Sequence, residues 1–153
     1  MLKAIDQVIA RAQGECKQSG QRMTEKRCNV LKILLQHDTP LSAYDIAGHY
    51  KDTFGESLSA MSAYRMLDFL LHAGLAHKLT TTNQYLACAH ISCEHEHEIP
   101  QFLICDRCHA VTEVGLRKQL LRELKSSIEN TGFMLASQQL ELHGLCKKCQ
   151  LPD

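Results

Sequence analysis

The 153-residue sequence has no apolar run near 18 residues and no short apolar segment behind a basic start. Neither a membrane span nor a secretory signal is therefore expected. It has no low-complexity stretch, and 44% apolar residues are enough for a core, which excludes a disordered chain. Net charge is missing too: 17 Lys and Arg balance 17 Asp and Glu, so the chain has no global attraction for polyanions. Catalytic signatures are absent as well. No histidine has glutamate two residues on, Pro100 does not directly precede a cysteine, and His-Glu-x-x-His does not occur. The zinc deaminase and zincin patterns fail on these grounds, and no enzyme is expected.

Thiols and imidazoles, by contrast, are abundant, with eight cysteines and nine histidines. A disulfide framework needs a secretory context and usually a shorter chain. Clustered CxxC pairs beside histidines favour metal in a reducing cytoplasm. The pairs are Cys105-Asp-Arg-Cys108 and Cys146-Lys-Lys-Cys149, with 37 residues between them. Two such pairs complete a closed four-sulfur tetrahedron of the structural zinc kind. The gap exceeds the roughly 15–20 residues of a compact ribbon, so the ion has to clip together segments of a larger domain. A closed site has no open position for substrate, so function must lie elsewhere.

The distribution of charge says more than its sum. Residues 1–82 carry ten Lys and Arg against eight Asp and Glu, and residues 83–153 carry seven against nine. Arg11, Lys17, Arg22, Lys26, Arg27 and Lys32 crowd residues 11–32, opposed only by Glu15 and Glu25. Such a patch fits phosphate contacts, and equally a solvated helix face.

The first half reads as helices. Leu2, Ile5, Val8, Ile9 and Ala12 form a helical stripe over 2–18. Thr24 can cap a helix to about His37, with Val30, Leu31, Leu34 and Leu35 buried and the Thr39-Pro40 step as its end. Ser42 opens a third helix reaching about Asp52. Ser59 to Ala73 is a fourth, stopped by Gly74, with Ala60, Ala63, Leu67, Leu70 and Leu71 inward and Met61, Tyr64, Arg65, Asp68 and His72 outward. Two β-like runs, Leu75–Leu79 and Gln84–Ala89, follow around a polar turn. Helices ending in a hairpin describe a winged helix-turn-helix domain, whose recognition helix enters the DNA major groove. Exposed Met61 and Tyr64 beside Arg65 fit contacts to thymine methyls, sugars and phosphates, although Tyr64 could instead pack on the neighbouring helix.

Residues 90–99 form a polar linker rich in metal-capable groups. Beyond it, Gln101–Cys105 and Ala110–Val114 read as strands, Leu116–Asn130 as an amphipathic helix and Phe133–Leu142 as a returning strand. The helix carries Leu116, Leu120, Leu121, Leu124 and Ile128 on one side. The expected architecture is α+β, with a winged-helix domain at 1–89, a linker at 90–99 and an α/β dimerisation domain with a small antiparallel sheet at 100–153. The last unit is too small for a good core; the metal clip compensates, and its open sheet edge suits a second subunit.

A second ligand set is dispersed: His77 and Cys88 on the wing, His95 and His97 in the linker, and Glu113 after the first CxxC. One thiolate, two imidazoles and one carboxylate suit tetrahedral zinc better than iron(II) or manganese, which favour nitrogen and oxygen at higher coordination. Ligands from wing, linker and second domain would convert binding energy into conformational bias.

Ser42-Ala-Tyr-Asp45, Ala63-Tyr-Arg65 followed by Leu67-Asp-Phe-Leu70, His77-Lys78, Asn83 with Tyr85, Cys88, Phe102-Leu-Ile-Cys-Asp-Arg-Cys108 and His143-Gly-Leu-Cys146 occur in this order. Over nearly the whole chain this resembles the ferric uptake regulator family, and the His77/Cys88 pair points to its zinc-sensing branch. The resemblance implies a homodimer that binds AT-rich palindromic double-stranded operators when zinc-loaded and represses zinc-import genes. It implies two zinc ions per subunit: a structural one on Cys105, Cys108, Cys146 and Cys149, and a regulatory one on His77, Cys88, His97 and Glu113, with His95 as rival to His97. Tyr44, Tyr64 and Arg65 match DNA-contacting positions. No membrane or small-molecule substrate is implied. The alternative is a family member answering another metal or peroxide. The family's usual Thr-Val-Tyr-Arg is Ser62-Ala-Tyr-Arg65 here, and Ser137 stands where some relatives carry an auxiliary histidine.

Overall fold

Side-chain caps set the boundaries of the first helices. The computed structural model describes residues 2–91 and 99–150, the side chains of Leu2 and Lys3 excepted. Helix α1 spans Leu2–Gln18, α2 Glu25–Gln36, α3 Ala43–Phe54 and α4 Ala60–His72. Thr24 accepts from the Arg27 N–H at the start of α2, and Ser59 from the Ser62 N–H at the start of α4. At α3 the Ser42 hydroxyl accepts from the Asp45 N–H while the Asp45 carboxylate accepts from the Ser42 N–H. This reciprocal capping box satisfies two donors that the first turn leaves without helical partners. Gly55, in the left-handed region at φ 71°, closes α3, a conformation that glycine adopts without steric cost.

The core of this part gathers around α2. Its Val30, Leu31 and Ile33 have no exposed surface, and Cys28 and Leu34 are buried beside them. Ile33 and Cys28 lie outside the expected stripe, because α2 packs against α1, α3, α4 and the hairpin and is buried around most of its circumference. Ala63, Leu67 and Leu70 of α4 are buried as the periodicity requires, with Ala60 and Leu71 half-buried. The α1 stripe runs on through Ile9 and Ala12 to Cys16, one further helical step on the same face.

Strands β1 (Ala76–Leu79) and β2 (Gln84–Ala87) pair antiparallel from Ala76↔Ala87 to Leu79↔Gln84. Asn83 takes φ 54° in the connecting turn, a left-handed conformation that asparagine tolerates better than most residues. Leu41 and Tyr85 exchange both backbone hydrogen bonds, at 2.9 and 2.7 Å, tying the hairpin to the α2–α3 connection.

The chain divides into two compact units, residues 1–93 and 94–153. In the second, β3 (Pro100–Cys105), β4 (Val111–Gly115), α5 (Lys118–Glu129), β5 (Glu141–Gly144) and the short α6 (Lys147–Gln150) follow in order. The sheet runs β4-β3-β5. It is antiparallel between β3 and β4, and β5 joins β3 in parallel from Phe102↔Glu141 to Cys105↔Gly144. The expected strand over Phe133–Leu142 is therefore mostly not a strand. A buried side chain replaces the ladder there: Gln101 Nε2 donates to the Gln138 carbonyl at 3.0 Å, and Gln101 Oε1 accepts from the Leu140 N–H. Helix α5 also departs from expectation. Leu121 alone of its stripe is buried, Leu124 and Ile128 are half-buried and Leu120 is exposed.

Candidate metal centre and nucleic-acid interface

Backbone pairing delivers the two CxxC turns to one place. Cys105 ends β3, β5 runs beside it to Gly144, and the Asp106 N–H donates to the Gly144 carbonyl at 2.8 Å. One ligand atom from each of Cys105, Cys108, Cys146 and Cys149 then lies within 4.8 Å of the others, and the Cys108 and Cys146 sulfurs are 3.7 Å apart. A tetrahedron with Zn–S bonds of about 2.3 Å has sulfur–sulfur edges of about 3.8 Å, so the four sulfurs fit a zinc ion.

The surroundings are already shaped for thiolates. The backbone N–H groups of Cys108 and Cys146 donate to Cys105 and pull its thiol down to about 6. Cys149 is pushed the other way, to about 12, chiefly by its hydrogen bond with Cys146. Four sulfurs this close repel one another as thiolates, so a cation among them is needed to hold all four charged. His109 follows the first pair at φ 59°. The His143 Nδ1 and Asp106 Oδ1, 2.8 Å apart, link the two turns across the surface.

In the first unit, a His77 ring nitrogen and the Cys88 sulfur lie within 4.8 Å of each other. His77 sits on β1. Cys88 follows β2, where its N–H donates to the Leu75 carbonyl at 3.0 Å. Cys88 is buried and its sulfur accepts from the His90 N–H at 3.4 Å. Glu113 sits on β4 of the second unit, half-buried. His95 and His97, with Cys93, lie outside the described residues.

The residues expected at DNA gather on α3 and α4. Tyr44 is 70% exposed and its ring meets that of Tyr64 edge-on, with centroids 6.5 Å apart. Tyr64 is half-buried and packs against the core, while Arg65 is exposed. The packing reading of Tyr64 thus holds: its half-buried ring lies against the core.

The basic patch of residues 11–32 is less available than its sequence suggests. Arg11 pairs with Glu15 at 3.2 Å and Lys32 with Asp6 at 3.5 Å. The Arg27 guanidinium lies 3.6 Å from the Phe69 ring centroid and donates to the Arg22 carbonyl, a cation–π contact that ties α2 to α4. Lys17, Arg22 and Lys26 remain exposed. Cys16 and Cys28 are core residues whose thiols burial pushes up, which disfavours reactive thiolates.

Capped helices ending in a hairpin, followed by a small sheet with a four-thiol cluster that could hold a metal, define a winged helix-turn-helix protein. The Ferric uptake regulator family profile matches residues 18–143, and the chain belongs to that family. It is 34% identical over 145 residues to the Zinc uptake regulation protein of Escherichia coli (strain K12), covering 94% of this chain and 81% of that protein. Among solved structures, a zinc uptake regulator complexed with zinc and DNA is similar at 30% identity and a TM-score of 0.80, with 95% of each chain covered. Holo XcZur is similar at 35% identity and a TM-score of 0.73, covering 93% of this chain and 96% of that one. No helix among the described residues is long and apolar enough to cross a membrane.

Proposed function

We propose that this chain is a zinc-responsive transcriptional repressor that binds AT-rich palindromic operators as a zinc-loaded homodimer and represses zinc-uptake genes in the cytoplasm. The observation that carries the reading is the nitrogen–sulfur pair of half-buried His77 and buried Cys88, built into the hairpin of a winged-helix domain. A thiolate beside an imidazole selects zinc over iron(II) or manganese, and its place on the wing couples the ion to the DNA-binding unit. The likeness to a regulator solved with both zinc and DNA supports the same reading.

In this proposal each subunit takes two zinc ions. Cys105, Cys108, Cys146 and Cys149 hold a permanent one that builds the dimerisation domain of residues 100–153. His77 and Cys88 hold the regulatory one together with Glu113 and a linker histidine, His97 in preference to His95. Zinc supplies a shared positive centre for ligands from three segments, and the protein's part is to make that convergence incompatible with other arrangements. Tyr44, Tyr64 and Arg65 meet the duplex. The second subunit covers an apolar face of the dimerisation unit, where Leu103, Leu142 and Leu145 are exposed on and beside the sheet. Large exposed apolar groups of this kind mark an interaction surface.

The test is a zinc titration of binding to an AT-rich palindromic duplex, comparing the native chain with Cys88→Ser. The native protein binds only when zinc exceeds the structural equivalent, and Cys88→Ser loses that response. Equal binding with the regulatory site empty would sink the switch. An unchanged response in Cys88→Ser would remove Cys88 from the ligand set.

A further inference from the structure

Among the described residues, the large apolar side chains left exposed in the first unit are two, Tyr44 and Met61. Everything else of that size is at least half withdrawn into a core that also takes in Ile5, Met23, Met66 and Phe69. Both exceptions border the same spot. Tyr44 meets the Tyr64 ring edge-on, and Met61 stands three residues before Tyr64 and four before Arg65 on α4, the spacing of neighbours on one helix face. Met61 is 67% exposed. It lies in the first turn of α4, directly after the Ser59 cap, and the N-terminal residues of a recognition helix are those that reach base edges.

We propose that Met61 is a specificity-determining residue that reads the C5-methyl of one thymine in each operator half-site. The inference rests on the repressor reading above. A flexible thioether has no donor and at most a weak acceptor, so it cannot discriminate bases through the hydrogen-bonding code of the groove. The thymine methyl is the one apolar feature that the major groove offers. Arg65 is suited to the complementary task, a bidentate contact to guanine. Four residues of helix rise about 6 Å, against about 3.4 Å per base step of duplex. Met61 and Arg65 are therefore close enough to read bases of the same half-site.

The experiment uses the full zinc-loaded chain and a duplex enriched by it from a random library. Each thymine is replaced in turn by deoxyuridine, which removes only the methyl. The native protein loses about five- to tenfold in affinity at one thymine per half-site and little elsewhere. Met61→Ala binds the parent duplex more weakly by a similar factor and no longer distinguishes thymine from deoxyuridine there, while Met61→Leu restores the distinction. Native protein indifferent to deoxyuridine at every position overturns the assignment, as does Met61→Ala that keeps the discrimination. Failure to enrich any duplex in a zinc-dependent manner overturns the repressor reading itself, and this inference with it.

Discussion

In the first unit, Val30, Leu31, Ile33, Ile46, Ala63, Leu67 and Leu70 are wholly withdrawn from water, and three helix starts carry side-chain caps. In the second, burial among the described residues extends to Phe102, Ile104, Cys105, Leu121 and the polar Gln101, while six large apolar side chains stay exposed. Its helix α5 has Arg117 at the N-cap position and no side-chain cap. The comparison separates two ways of stabilising a small fold. One relies on apolar burial, worth about 1.5–3 kcal/mol for each large side chain fully removed from water. The other brings four thiols together and leaves much of its apolar surface exposed. The first unit should therefore withstand loss of metal, and the second should not.

The largest effect expected is from Cys105→Ser or removal of zinc by a strong chelator. The second unit loses protection in hydrogen exchange and the dimer dissociates on a sizing column, while amides of α2 and α4 remain protected. A folded dimer after either treatment would contradict the clip. Next in size is Leu31→Ala, which opens a cavity in the first core and costs about 2–5 kcal/mol of its stability. Bound structural zinc stays unchanged by direct metal assay, so loss of metal here would show that the units do not stand apart.

A smaller effect is expected at Gln101. Gln101→Leu leaves the Leu140 N–H and Gln138 carbonyl without their buried partner, at about 1–3 kcal/mol, read as early proteolysis near residues 138–140. The smallest is at the α3 cap, where Ser42→Ala costs about 1 kcal/mol at neutral pH. Bonds from the Ser42 hydroxyl and N–H hold the Asp45 carboxyl below its ordinary range. Its contribution is full above the unfolded carboxylate pKa and disappears as pH falls through the lower folded value. The difference in melting temperature between the native chain and Asp45→Ala should accordingly shrink in acid; a difference that persists at pH 2 would assign the effect to helix propensity instead.

Much of the first unit was legible because local chemistry and global packing agree there. Thr24, Ser42 and Ser59 sit where a cap is needed, and the stripe of Ala63, Leu67 and Leu70 has one periodicity and one destination. Ile33 escaped because a helix packed on several sides has only a narrow polar face, here Glu25, Lys26 and Gln36, to set its phase. Arg27 read as a surface charge because nothing local reveals that Phe69, 42 residues on, lies under it. In the second unit the CxxC turns were plain, since ligand spacing is short-range. The segment after Phe133 was not, because Gln101 substitutes a side chain for the strand ladder. The stripe of α5 was legible as apolar, yet only its Leu121 is buried, because periodicity shows a helix's apolar side and not how far it is covered.

The parallel pairing of β5 with β3 has a consequence in time. Parallel neighbours require a crossover, here one that carries α5, and Cys105 faces Gly144 only after it is complete. During synthesis all residues through α4 and the hairpin emerge before the first CxxC, and Cys149 emerges last of the four thiols. The first unit can therefore fold as the chain leaves the ribosome, with its His77 and Cys88 already side by side. The four-sulfur cluster waits for nearly every residue that follows. A nascent chain thus presents the pair from its wing to cellular metal before its four-thiol cluster exists.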